Sequence, residues 1–186
     1  TPIIGAMGLS DDVSKHAASG FSVEGDFVVL LGSDFLSGRI DGLAGSEFLE
    51  LEHGMVLGNP DINLVLEKRV QELCRRLIKE QQIHSAHDCS DGGLAVALAE
   101  CCIGGEMGFV GNLNFRGRWD AALFGEKQSR VLVSIPEVNM PRLKALSEEC
   151  KVPYVMLGRT GGNEFHLGKC LSVPMDLIIE KLLHLN

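Results

Sequence analysis

The spacing of apolar and polar residues predicts short strands interspersed with amphipathic helices. The continuous apolar run Phe27–Leu31 is bounded by Asp26 and Gly32, which is typical of a central strand covered on both faces. A long helix is predicted to begin with Asn59 as its N-cap and Pro60 in its first position. Apolar residues then recur at helical spacing to about position 82, so this is the longest helix that the pattern predicts.

The remaining apolar segments predict a mixed sheet layered with helices, which is an α+β fold in one domain over residues 1–186. Residues 33–45 carry three glycines and little periodicity, which favours a loop. The glycines at 161 and 162 predict a β-hairpin between strands 154–157 and 164–167. Other strands are predicted over residues 3–8, 84–88, 107–113 and 130–135, and helices over 46–51, 94–100, 119–124, 139–150 and 175–185.

Composition and charge narrow the classes of function. Apolar residues make up 45% and charged residues 23% of the 186 positions, as in ordinary globular proteins. The net charge of −8, without a run of Lys and Arg, argues against nucleic-acid binding, although a phosphorylated small molecule remains compatible. Apolar runs stay shorter than the roughly 18 residues of a membrane span, and the first residues lack signal-peptide features. Six cysteines without a CxxC pair favour free thiols in a reducing cytoplasm.

The densest cluster of polar residues and glycines is His87–Leu94, at a predicted strand–turn–helix junction. A helix N-terminus offers backbone amides and a positive dipole to phosphate, and glycines let a ligand approach the backbone. In this interpretation Asp88 holds Mg²⁺, Ser90 offers its hydroxyl to a phosphate, and Gly92 and Gly93 let the ligand approach the backbone. The alternative is structural: Ser90 or Asp91 caps the helix and the glycines form a tight turn.

A second cluster precedes the apolar run that starts at Val131. Glu126, Gln128 and Arg130 alternate, so they share one face if the strand already begins at Glu126, and they are candidate ligand contacts at the sheet edge. A solvated start of the strand is the alternative. No catalytic residue is assigned, because no nucleophile–base arrangement and no pair of carboxylates stands out; Ser46 is interpreted as a plain helix cap.

Several segments resemble one enzyme family. Residues 84–100 are very similar to the Asp-x-Ser-Asp-Gly-Gly-Leu segment of phosphoribosylformylglycinamidine synthases. Four further segments resemble the same family in the same order, and the resemblance runs from residue 1 to at least Ile135. These segments are Thr1–Gly5, Gly25–Asp26, Gly45–Leu49 and Gly125–Arg130.

The resemblance implies the carboxy-terminal domain of the aminoimidazole-ribonucleotide synthetase-like superfamily, with residues 1–24 as the connection from a nucleotide-binding domain. It further implies an ATP-dependent ligase of purine biosynthesis, which uses glutamine-derived ammonia to convert formylglycinamide ribonucleotide to its amidine. The expected partners are that nucleotide-binding domain, a glutaminase subunit or domain and the phosphorylated ribonucleotide, and the chain alone is expected to be inactive. The alternatives are a related enzyme, such as aminoimidazole ribonucleotide synthetase, selenophosphate synthetase or thiamine-phosphate kinase, or a non-catalytic binding or assembly module.

Site residues follow from the same resemblance. Asp88 matches the family's Mg²⁺ ligand and Ser90 its nucleotide-contacting serine, so ATP or ADP is expected with Mg²⁺. The segment with Glu126, Gln128 and Arg130 resembles a substrate-contacting Glu-Ser-Gln segment in the sister half of the enzyme. Lys127 replaces the serine here, which counts against direct substrate contact. A catalytic site and an auxiliary structural nucleotide site both fit the resemblance.

Overall fold

A computed structural model describes residues 5, 8–9 and 12–183 of the chain, and the predicted mixed α+β architecture is confirmed over them. The strands are β1 (Phe27–Leu31), β2 (Leu36–Gly38), β3 (Ser85–Asp88), β4 (Phe109–Gly111), β5 (Phe115–Gly117), β6 (Val131–Ile135), β7 (Tyr154–Thr160), β8 (Glu164–Leu167) and β9 (Leu171–Pro174). The helices are α1 (Glu47–His53), α2 (Leu64–Lys79), α3 (Gly93–Gly105), α4 (Trp119–Phe124), α5 (Met140–Cys150) and α6 (Met175–Leu183). The strand predicted over residues 3–8 falls largely outside the described residues.

The main sheet has seven strands in the order β3-β6-β1-β7-β4-β8-β9. Strand β1 lies between β6 and β7 and is antiparallel to both, as predicted for a central strand. One of its faces packs through Leu30 against α3, and the other packs through Val29 against α2 and α5. Because both faces are buried, β1 shows an unbroken apolar run instead of alternation.

Beyond β1 the sheet is covered less completely. Helices α2 and α5 lie over the half formed by β3, β6 and β1. On the same face, Met156 of β7 is paired in register with Val29 and is 53% exposed, and Val110 of β4 is 54% exposed. On the opposite face of these strands, Phe109 and Leu157 are buried in the hydrophobic cluster that includes residues of α3. The face of β7 and β4 that carries Met156 and Val110 therefore exposes them next to polar residues, since Val110 is opposite Arg159 on β7 and His166 on β8.

The predicted hairpin between β7 and β8 is wrong. Strand β4 lies between them, antiparallel to β7 and parallel to β8, so that Phe109 is opposite both Thr160 and Phe165. Both Gly108 and Gly161 bond across this junction, with each amide N donating to a carbonyl of the other segment. The hairpin in the structure instead joins β8 to β9, a strand that the sequence pattern did not predict.

The start of one helix and the structure of one predicted loop also differ from the prediction. Helix α2 begins at Leu64, not at Pro60, because the Asn63 side chain accepts hydrogen bonds from the amides of Val65 and Leu66. The predicted loop 33–45 contains β2, which pairs in parallel with β5, and a 3₁₀ helix at Ile40–Leu43. Strands β2 and β5 have only three residues each, which is too short to show a period of two, and the pattern therefore missed both strands.

Candidate functional site

The turn between β3 and α3 has the predicted strand–turn–helix geometry. Asp88 ends β3 with its side chain 73% exposed, and the neighbouring Ser90 is also exposed. The amide of Gly93 closes the turn by donating to the Ser90 carbonyl at 3.0 Å. Gly92 occupies the N-cap of α3 with φ +75°, so the predicted alternative is wrong in having Ser90 or Asp91 cap this helix, whereas the tight turn formed by the glycines is confirmed. The exposed side chains of Asp88 and Ser90 therefore do not cap α3 and are accessible at the surface of the turn.

The segment before β6 does not extend that strand. Strand β6 begins at Val131, so the predicted alternation of Glu126, Gln128 and Arg130 along one strand face is wrong. The guanidinium of Arg130 donates to the carbonyls of Lys127, at 3.0 Å, and Gly125, and burial lowers its pKa from the usual value. Arg130 is therefore engaged in holding its own loop, whereas Gln128 is exposed.

Glu126 is also held within the protein. Its Oε1 accepts hydrogen bonds from the amide of Gly92 and from the amide of Glu47, each at 2.9 Å. These contacts satisfy backbone donors at the starts of α3 and α1, where helices have unpaired amides. Ser46 caps α1 as predicted, because its hydroxyl accepts from the amide of Leu49 at 3.4 Å.

The two predicted clusters meet in one cleft of about 200 Å³. Their convergence follows from the sheet, since β3 and β6 are antiparallel and Asp88 is opposite Val131. Residues that follow Asp88 must therefore lie beside residues that precede Val131, and the amide of Cys89 donates to the Arg130 carbonyl at 3.1 Å. The cleft is lined by Glu67, Val70, Asp88, Cys89, Ser90, Asp91, Glu126, Gln128, Ser129, Arg130 and Val131.

Sequence reasoning missed two polar contributors to this cleft. Glu67 reaches it from α2, and no local pattern marks that position. Ser129 lies at its wall with φ +64° and 8% exposure, and its hydroxyl has no hydrogen-bond partner within the described part of the chain. A Cβ at Gly32 would lie 1.8 Å from the Ser129 carbonyl oxygen, so this loop approaches the end of β1 closely.

Ser129→Ala is expected to raise the free energy of unfolding by about 1 kcal/mol, because a buried unpaired hydroxyl costs about 1–3 kcal/mol. Urea denaturation of the purified chain measures this change. The matched control is Ser134→Ala, which removes the partner of the buried Ser85 hydroxyl at 2.7 Å and should lower stability by about 1 kcal/mol or more. A loss of stability in Ser129→Ala as large as in the control would contradict the prediction.

The exposed carboxylates at the cleft can be compared with what Mg²⁺ requires. Among the described residues, no group of three or more His, Cys, Asp and Glu side chains is arranged to hold a metal ion. Mg²⁺ in phosphate-binding enzymes commonly takes one or two carboxylates together with phosphate oxygens and waters. The exposed Asp88 carboxylate fits such a partial donor set, with Asp91 beside it.

The other ionisable groups of the turn are structural. Burial raises the pKa of Cys89 to about 11, so this residue is a neutral thiol at pH 7 and a poor nucleophile. His87 Nδ1 lies 2.8 Å from the Asp88 carbonyl oxygen, and its Nε2 lies 3.3 Å from a Glu100 carboxylate oxygen.

All six cysteines are free thiols, as predicted. Within the residues that the structure describes, no helix is long and apolar enough to cross a membrane.

Residues 23–166 match the family described as AIR synthase related protein, C-terminal domain, and the chain belongs to this family. The phosphoribosylformylglycinamidine synthase subunit PurL of Anaeromyxobacter sp. (strain Fw109-5) is 45% identical over 186 residues, covering 94% of this chain and 24% of the relative. The same subunit of Thermomicrobium roseum is 42% identical over 185 residues, covering 97% and 24%. The resemblance inferred from the motifs is thus confirmed, and the chain spans about a quarter of the length of these relatives.

Solved structures show the same fold. The structure described as T. maritima PurL complexed with FGAR superposes with a TM-score of 0.72 and 18% identity, covering 89% of this chain and 30% of that chain. T. maritima PurL complexed with ATP gives a TM-score of 0.67 and 16% identity over 89% and 27%. Thiamine-monophosphate kinase from Stenotrophomonas maltophilia gives 0.57 and 21% over 81% and 52%. At these low sequence identities, the structural similarity shows only that the fold is shared.

Proposed function

We propose that the chain is the carboxy-terminal lobe of a phosphoribosylformylglycinamidine synthase and forms one wall of a nucleotide site in that ligase. The reaction uses ATP and glutamine-derived ammonia to convert formylglycinamide ribonucleotide to its amidine. The observation that carries this proposal is the meeting of the first part of the turn, Asp88–Asp91, with Glu126 and Gln128–Arg130 in one cleft. The PurL relatives at 42–45% identity support the assignment of the reaction.

In this proposal Asp88 supplies a carboxylate oxygen to Mg²⁺, which neutralises phosphate charge when bound. Ser90 offers its hydroxyl to a phosphate oxygen. The predicted role of Gly92 and Gly93 is corrected: their amides donate to the Glu126 carboxylate and to the Ser90 carbonyl, so the two glycines shape the tight turn and do not offer these amides to a phosphate.

Of the three residues predicted to contact the ribonucleotide, Gln128 is the best candidate. Glu126 and Arg130 make hydrogen bonds of 2.9–3.0 Å to backbone groups, whereas the exposed Gln128 side chain donates to the Glu126 carbonyl at 3.4 Å. The free cysteines favour a cytoplasmic enzyme.

The rest of the site is proposed to come from an upstream nucleotide-binding domain of the same polypeptide, with ammonia supplied by a glutaminase subunit or domain. The PurL relatives support a neighbouring domain of the same polypeptide, because the chain spans about 24% of their length.

Two measurements test the proposal. ADP with Mg²⁺ is titrated calorimetrically into the purified chain and into a chimera in which this chain replaces the matching segment of the Anaeromyxobacter relative. We expect binding in the chimera and at least tenfold weaker binding in the chain alone, because the proposal assigns the other wall of the pocket to the upstream domain. Amidine formation is then assayed with ATP, ammonia and the ribonucleotide, and the chain alone is expected to be inactive.

Amidine formation by the isolated chain would overturn the shared-site proposal. A well-folded chimera that binds Mg²⁺ and ADP but forms no amidine would favour an auxiliary nucleotide site. Phosphorylation of thiamine phosphate by the chimera, or synthesis of selenophosphate, would favour a related enzyme of the superfamily. Equal ADP affinity of the chain and the chimera would favour a stand-alone binding module.

A further inference from the structure

The carboxylate of Glu126 joins two parts of the domain that are distant in sequence. Its Oε1 is 2.9 Å from the amide nitrogen of Glu47, at the start of α1, and 2.9 Å from that of Gly92, at the start of α3. Both donors are first-turn or N-cap amides, which have no partner within their own helix. A single carboxylate oxygen thereby satisfies two helix starts.

Contacts of the residues around Glu126 also hold this segment against α1 and the 3₁₀ helix before it. Its own amide donates to the Gly42 carbonyl at 2.9 Å, which fixes the segment to the 3₁₀ helix before α1. The Phe48 ring of α1 stacks on Phe124 with centroids 5.1 Å apart. A Cβ on Gly125 would lie 2.4 Å from the Ala121 carbonyl oxygen, so the segment has little freedom to shift.

The Gly92 amide is also one of the donors that an incoming phosphate would find at this turn. Glu126 occupies that donor from the side of α1, while Asp88 and Ser90 remain exposed at the cleft. The carboxylate is consequently placed to fix the shape of the turn, and both acceptor positions of its Oε1 are in use.

We propose that Glu126 is a positioning residue: its carboxylate locks the glycine turn of the nucleotide site against α1, and it does not contact the ribonucleotide. This proposal rests on the proposed nucleotide site and changes the role expected from the resemblance, in which Glu126 is a substrate contact. Any movement of α1 would be transmitted through this carboxylate to the Asp88–Gly93 turn.

The test compares Glu126→Ala with Glu126→Gln, which keeps an oxygen in the same position. Amide hydrogen exchange is measured by mass spectrometry in the 186-residue chain, on peptides that cover residues 45–51 and 88–95. We expect Glu126→Ala to speed exchange at least tenfold in both peptides. Glu126→Gln should speed it clearly less, because its amide oxygen still accepts both hydrogen bonds, although bonds to a charged acceptor are roughly twice as strong. The control Glu137→Ala removes an exposed carboxylate bound to Arg159 and should alter neither peptide.

Kinetics in the chimera provide the second readout. We expect Glu126→Ala to weaken ADP binding at least tenfold, with a smaller rise in the KM for the ribonucleotide, and Glu126→Gln to restore most of the loss. Unchanged exchange in Glu126→Ala overturns the proposal. Equal damage by both substitutions, confined to the ribonucleotide KM, also overturns it in favour of direct substrate contact. If the native chimera lacks ligase activity, the proposed function fails, yet the exchange measurements still decide the role of Glu126.

Discussion

Replacing Gly93 with alanine is expected to lower the free energy of unfolding by about 3 kcal/mol. Gly93 has φ +70°, and the left-handed conformation costs a residue with a Cβ roughly 1–2 kcal/mol. A Cβ there would also lie 2.6 Å from the Gly125 carbonyl oxygen and 2.9 Å from that of Leu123. These are backbone atoms, which cannot rotate away, and overpacking of this kind typically costs about 1–3 kcal/mol.

The chain offers a matched control for this substitution. Gly162 has φ +71°, but a Cβ there would meet nothing within 4 Å, so Gly162→Ala carries the conformational cost alone. Urea denaturation should show a loss of about 1 kcal/mol for Gly162→Ala and at least about twice that for Gly93→Ala. Equal losses would mean that the Gly125 loop yields easily and that the turn is not held by close packing.

Elements with a strong local signal were predicted well. Strand β1 has an uninterrupted apolar run, α4 was predicted over Trp119–Phe124 with its observed bounds, and α5 was predicted to within one residue. The failures concern pairing between distant segments. Strand β4 inserts between β7 and β8, although the glycines at 161 and 162 give a strong local signal for a hairpin. Register across a sheet depends on partners far along the chain, which a local pattern does not contain.

The candidate site likewise has one part that the local sequence encodes and another that depends on contacts between distant segments. The strand–turn–helix junction at Asp88–Gly93 could be recognised because its residue types and its local geometry are both encoded within a few positions. The meeting of this turn with Glu126 and Gln128 required the knowledge that β3 pairs with β6. The bonds from Glu126 to α1 and α3 were beyond prediction, since they depend on where a loop between two elements places one carboxylate.

Asp88→Asn is expected to weaken the binding of ADP with Mg²⁺ by the chimera about 100-fold, which corresponds to about 2.7 kcal/mol. Mg²⁺ prefers charged carboxylate oxygens, and an amide oxygen at the same place lacks the charge. Stability should hardly change, because the Asp88 side chain is 73% exposed and its nearest ion-pair contact, to His87, is long at 3.7 Å. Calorimetry with and without Mg²⁺ measures the first effect, and urea denaturation measures the second.

Glu100→Gln is the matched control, because it removes a partly exposed carboxylate that also lies beside His87, at 3.3 Å, but outside the cleft. It should leave the affinity for ADP with Mg²⁺ within about threefold, whereas a general effect of net charge would act equally in both variants. When Mg²⁺ is removed by a chelator, Asp88→Asn should bind ADP at least as tightly as the native chimera, because a carboxylate without its cation repels phosphate. An equal loss of affinity in Asp88→Asn with and without Mg²⁺ would show that Asp88 acts through the shape of the turn, and the metal role would then be rejected.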